Sequence, residues 1–277
     1  MSDTSKVHDV AKTPVFHELP GADAIHVRHD LPFASVDGDV LTMDVYSPAG
    51  QEDGIHLPAV VIVSGYPDLG VRRIIGCRHK EMASVVCWAR MIAASGLVAI
   101  AYENRDPARD LDDLLTHVRQ NASPLGIDDN AIGVWACSGN GPLGLSLLMR
   151  GDHQATKCAV LCYPFTVDLE EHTAVADASQ AFGFVNACAG RTVGDIRRDA
   201  RIFVARAGRD GTPGLNETLD RFVAHALACN LPLTLANHAE GPHAFDLFDD
   251  SHETRTVIDQ ALLFMRSALA RQNAREG

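Results

Sequence analysis

Five apolar runs, at 57–63, 97–102, 132–136, 158–163 and 202–207, are separated by segments with helical periodicity, and the first of them is continuous rather than alternating. A strand that is apolar without alternation is covered on both faces, so helices must lie above and below the sheet. The intervening segments supply them. Residues 84–95 are apolar on most sides and are followed by Gly96, a C-terminal cap. Residues 107–120 place Leu111, Leu114, Leu115 and Val118 on one face, with Asp110, Asp112 and Asp113 in the early turns. Later helices carry Leu215, Leu219, Phe222, Val223, Ala226 and Leu227, and then Val257, Ile258, Ala261, Leu262, Met265 and Leu269. Repeated strand-then-helix order implies a mainly parallel, doubly wound α/β sheet.

Two further strands open the fold at 24–28 and 40–46. The second alternates Leu41, Met43 and Val45 with Thr42 and Asp44, which suits an antiparallel edge, and Asp37-Gly38 marks the turn between the two. A strand at 231–236 brings the expected number to about eight. Residues 166–199 break the rhythm and read as an insertion after the sixth strand. The expected organisation is an extension over 1–23 and one α/β domain over 24–277.

The bulk properties narrow the function. A chain of 277 residues, 46% hydrophobic, can bury a large core, and a net charge of −12 repels nucleic acid and anionic membranes. Neither is an expected partner; a small molecule is, and self-association into a homo-oligomer stays open. The N-terminus has no secretory pattern, and no apolar run nears the roughly 20 residues of a membrane span, so the expected location is the cytoplasm. The seven cysteines lack C-x-x-C spacing. They read as reduced, buried hydrophobes, with no metal and no cofactor expected.

Chemistry concentrates after the strands. The run Trp135-Ala136-Cys137 leads into Ser138-Gly139-Asn140-Gly141-Pro142 and then an apolar helix, a strand-turn-helix that exposes a serine hydroxyl beside free backbone N–H groups. A serine before a helix is otherwise only a cap. Three further candidates follow other strands: Tyr66 after 57–63, Asp210 in Gly208-Arg209-Asp210-Gly211, and His243 in Gly241-Pro242-His243-Ala244-Phe245-Asp246. His238 is the rival base, better suited to a surface role at a strand end. A dinucleotide fold is disfavoured, because no G-x-G-x-x-G follows an early strand.

With Ser138, Asp210 and His243 in that order, the chain from about residue 24 onward resembles the α/β-hydrolase superfamily, in particular its esterase and dienelactone-hydrolase-like branches. The resemblance implies Ser138 as nucleophile, His243 as base and Asp210 as its orienting acid. It also implies an oxyanion hole built from the N–H groups of Gly139 and, since Pro67 has none, Tyr66. Ala136 and Asn140 stand where the superfamily usually has glycines, and asparagine tolerates unusual backbone angles. Cys137 is the alternative nucleophile, but that register would put bulky Trp135 two residues before it.

Phe182 and Phe184 in the insertion are expected to shape the acyl pocket, against the plainer reading of local packing. The basic residues Arg72, Arg73, Arg78, His79 and Lys80 read first as a solvated loop. In the sharper reading Arg72 and Arg73 form a rim for a substrate carboxylate. The expected activity is hydrolysis of a small carboxylic ester, with lactone or amide hydrolysis, or non-catalytic binding, as alternatives.

Overall fold

Eight strands form one sheet in a computed structural model that describes residues 10–36, 38–52 and 54–270. They are β1 (His26–Val36), β2 (Asp39–Ser47), β3 (Leu57–Ile62), β4 (Val98–Tyr102), β5 (Ile127–Cys137), β6 (Thr156–Cys162), β7 (Arg201–Ala207) and β8 (Leu233–His238). Their spatial order is β1-β2-β4-β3-β5-β6-β7-β8. The first two strands pair antiparallel with each other and β2 with β4; all later pairings are parallel. The carboxyl ends of β3 to β8 therefore share one edge. The strand order reverses between β3 and β5, where such sheets bind ligands.

The helices are α1 (Asp68–Ile75), α2 (Ala83–Ala94), α3 (Pro107–Gln120), α4 (Gly141–Ser146), α5 (Ala174–Phe182), α6 (Leu215–Ala228) and α7 (His252–Leu269), with shorter turns between. They divide the strand side chains between two cores. Val61, Val134, Leu161 and Val204 point towards Leu111 and Leu114 of α3 and Phe222 of α6. Val60, Trp135, Val160 and Phe203 point towards Trp88 of α2 and Ile258 and Met265 of α7. Alternate residues of one strand thus enter different cores, which is the physical reason for the continuous apolar runs. No helix among the described residues is long and apolar enough to cross a membrane.

Several expectations shift. The first strand runs to residue 36, beyond the expected 24–28. It keeps pairing through irregularities around Asp30, a non-glycine residue at φ 52°, so its apolar alternation is broken in the sequence. Gly38 turns at φ 87°, while Asp37 lies outside the described residues. The last strand begins at 233 instead of 231, because Leu231 N–H bonds back to Ala226 C=O at the end of α6 and Pro232 has no N–H for a ladder.

The expected basic loop is partly helix: Arg72 and Arg73 sit in the last turn of α1, both exposed. Arg78 pairs with Glu81 and Glu103, each at 2.6 Å, and Lys80 is buried against Asp30 and Asp44 at 2.7 and 2.8 Å. Part of the expected extension docks on the domain. Val15 joins the second core, and Phe16 N–H donates to Asp246 C=O at 2.9 Å.

Candidate active site

Ser138 follows β5 at φ 50°, a region that non-glycine residues rarely occupy. Such a conformation costs about 1–3 kcal/mol and persists where the surroundings impose it. The turn therefore lies at the serine itself and not, as its sequence suggests, in the glycines after it. Those glycines serve close approach. A Cβ on Gly139 would collide with Tyr66 Oη and come within 2.6 Å of Phe184, and one on Gly141 would collide with Phe165 C=O. Phe165 N–H in turn donates to Ser138 C=O at 3.1 Å. Ala136 is small for the same reason: a Cβ on Gly144 of α4 would stand 3.0 Å from its methyl group.

Cys137, beside Ser138, has an extended backbone at φ −128° and does not occupy the turn. Burial pushes its thiol up to about 12, with Asp246 adding to the effect.

Gly139 N–H opens the short turn after Ser138, and Tyr66 lies in the loop after β3. Neither N–H has a hydrogen-bond partner among the described residues. The Tyr66 ring lies over Gly139 and meets Phe184 edge-on at 5.8 Å. Burial raises the Tyr66 phenol well above its usual range, so it stays neutral.

The ends of β7 and β8 stay joined past their ladder. Gly208 N–H donates to His238 C=O at 2.8 Å and Arg209 N–H to Gly241 C=O at 2.9 Å. This brings Asp210 and His243 together, 2.6 Å apart between Oδ2 and Nδ1. The Asp210 side chain has no exposed surface, while that of His243 keeps 33% of its own. Burial alone would raise the Asp210 pKa, but hydrogen bonds from His243 and Thr212 N–H hold it below the usual carboxylate range. A carboxylate at Nδ1 fixes the tautomer that leaves Nε2 free to accept a proton.

No hydrogen bond joins His243 to Ser138 among the described residues. Such bonds are often long in free enzymes and tighten with substrate.

Two residues not anticipated as part of the site stand behind His243. The Tyr163 ring meets the imidazole at 5.0 Å, and its hydroxyl donates to Asp246 at 2.7 Å. Asp246, buried, also accepts from Trp88 Nε1 at 2.8 Å. A lone carboxylate between Phe245 and Leu247 is the signal that could have marked it. His238 is buried, contrary to the surface role expected of it, with Nε2 at 2.8 Å from Asp249 and 3.0 Å from Thr254.

The insertion shares a small core with Phe165 and Leu215, while its Val167, Cys188 and Ile196 join the first core. Phe184 stacks on Phe165 at 5.4 Å among Val175, Ala178 and Leu215, with Tyr66 packed against them. Phe182 is 52% exposed at the end of α5 and takes no part in that core.

No protein-family model matches the chain, and no curated protein matches it in sequence. Solved structures do. A thermophilic esterase from the planctomycete Thermogutta terrifontis, Est2, aligns with a TM-score of 0.66 at 18% identity over 92% of this chain and 97% of its own. A fungal esterase from Rhizomucor miehei aligns with a TM-score of 0.71 at 15% identity over 98% of this chain and 92% of its own.

The chain has the α/β-hydrolase fold. Ser138 follows β5, Asp210 follows β7 and His243 follows β8.

Proposed function

We propose that the chain is a serine hydrolase that cleaves a small carboxylic ester through an acyl-enzyme on Ser138. The observation that carries this reading is the 2.6 Å pairing of His243 with buried Asp210, on the sheet edge that also holds a serine at φ 50°. Ser138 Oγ attacks the ester carbonyl while His243 Nε2 accepts its proton. Asp210 stabilises the imidazolium without taking the proton. The N–H groups of Gly139 and Tyr66 receive the oxyanion. His243 then protonates the leaving alcohol, and water, deprotonated by the same imidazole, releases the acid.

A short acyl group is favoured because Phe184, Phe165 and Tyr66 pack together next to Gly139. Structures of Est2 with butyrate and with propionate bound, which share this fold, support that size. Phe184 is the acyl-side residue; Phe182, exposed, is assigned to the outer rim of the site. Arg72 and Arg73 are assigned to the same rim, where they would favour esters bearing a second, anionic group.

The test is labelling with a fluorophosphonate followed by peptide mapping, with turnover of short-chain aryl esters, lactones and aminoacyl amides measured in parallel. Modification of Ser138 and a preference for the esters are expected. Absence of labelling would return the chain to a binding role, and faster amide or lactone turnover would reassign the substrate. Charge reversal at Arg72 and Arg73 should lower the rate on anionic relative to neutral esters.

A further inference from the structure

Gly65 is held through both of its backbone groups, on either side of its Cα. Gly65 N–H donates to Asn140 Oδ1 at 2.7 Å in a buried setting, and Gly65 C=O accepts from Val185 N–H of the insertion at 2.9 Å. In a trans peptide the C=O and the following N–H point in opposite directions. The bond to Val185 therefore fixes where Tyr66 N–H points. Ser64 Oγ completes the bracing by donating to Tyr66 C=O at 3.1 Å.

Asn140 is itself immobilised. It is 4% exposed, lies in the turn that begins at Ser138, and its Nδ2 donates to Cys137 Sγ at 3.6 Å. An amide suits this place because it accepts and donates at once. A carboxylate would set a negative charge beside the developing oxyanion, and a glycine would leave Gly65 N–H buried without a partner. Gly65 allows the approach: a Cβ there would stand 3.0 Å from Gly139 C=O and 3.1 Å from Asn140 Cα.

We infer that Asn140 is a positioning residue of the oxyanion hole, tying the Gly65-Tyr66 segment to the turn that carries Ser138 and so setting the spacing between the Tyr66 and Gly139 N–H donors. The inference rests on reading Ser138 as the nucleophile and those two groups as donors. It also explains why this chain departs from glycine at position 140. The side chain replaces conformational freedom with a fixed link between two loops that must act together.

The test compares Asn140→Leu, close in volume, and Asn140→Ala with the native chain. It uses a p-nitrophenyl butyrate assay, inhibition by an aryl trifluoromethyl ketone and inhibition by butyrate. The ketone carbon takes the Ser138 oxygen and its oxygen becomes an oxyanion; butyrate forms no such adduct. A donor displaced by about an ångström costs on the order of 100-fold. Both variants should therefore lose about 10- to 100-fold in kcat, and in ketone affinity to the same extent, with KM and butyrate inhibition changed less than about threefold.

Ketone affinity kept in a folded variant would overturn the inference, as would equal weakening of ketone and butyrate. If Asn140→Leu fails to fold, Asn140→Ala decides. A native chain that neither turns over the ester nor reacts with a fluorophosphonate would overturn the functional reading and this inference together. A native chain that does both, with variants that match it, would overturn this inference alone.

Discussion

Gly208 N–H donates to His238 C=O at 2.8 Å, at a point where a Cβ on Gly208 would collide with the backbone of Ala239. The two strand ends can approach this closely only because residue 208 has no side chain, and Asp210 reaches His243 across that contact. Gly208→Ala should therefore separate the pair as well as strain the backbone. The expected cost is about 1–3 kcal/mol in a urea melt, in the range of other overpacking substitutions. Ester turnover should fall far more than the unfolded fraction accounts for. Full activity in a destabilised variant would mean that the β7-β8 contact does not set the Asp210-His243 geometry.

Asp210→Asn keeps the shape of the side chain while changing what it can accept. Its amide can present N–H to His243 Nδ1, turning the ring to the tautomer whose Nε2 carries the proton. The expected loss in kcat is on the order of 10⁴-fold, read in the same ester assay. The variant should also respond differently to acid. Because the Asp210 carboxylate is held below its usual range in the fold, its contribution is present above the unfolded value of about 3.9 and is lost as pH falls through the lower folded value. In Asp210→Asn that part of the acid-side loss should be missing.

Much of this was legible in the sequence, and the gaps have physical causes. Strand identity in 57–63 or 158–163 follows from burial on both faces, which composition records directly. The order of Ser138, Asp210 and His243 is one-dimensional information that the chain carries directly. What was not legible depends on contacts between distant segments. Tyr163 and Asp246 are 83 residues apart and form one hydrogen bond behind His243. The acceptor for Gly65 N–H lies 75 residues away in Asn140. The basic residues misled because like charges close in sequence suggest a shared surface. In the fold Arg78 turns to Glu81 and Glu103, Lys80 to Asp44, and both to Asp30, while Arg72 and Arg73 stay on the outside.

Lys80 is 1% exposed and sits between Asp44 and Asp30, so its removal leaves Asp44 buried beside an empty place. Burial by itself would raise the Asp44 pKa; Lys80, the Asp30 N–H and His29 overcome this and hold it below the usual range. Its stabilising share is thus complete above about pH 4 and disappears as pH falls through the lowered value. Lys80→Met should cost about 3 kcal/mol near neutral pH, because it takes the buried cation away from a buried carboxylate. It should also flatten the acid limb of the stability curve. Equal slopes between about pH 4 and pH 2 in the two proteins would rule out this coupling.

Cys137 and Ser138 compete in the sequence as nucleophiles, and their surroundings separate them. The thiol lies behind the turn, where burial and then Asp246 raise its pKa to about 12 while Asn140 and Tyr163 only partly oppose them. At pH 8 this leaves a thiolate fraction on the order of 10⁻⁴, and the thiolate is the species that alkylates. Iodoacetamide should therefore leave Cys137 unmodified in the folded protein and modify it once the chain is unfolded in guanidinium. A fluorophosphonate should map to Ser138 in the folded protein, and prior treatment with iodoacetamide should not reduce its incorporation. Alkylation of Cys137 in the native state that blocked the fluorophosphonate would place the reactive centre one residue earlier. The extended backbone at Cys137 and the positive φ at Ser138 argue against that, because only the residue at the turn can lift its side chain clear of the sheet.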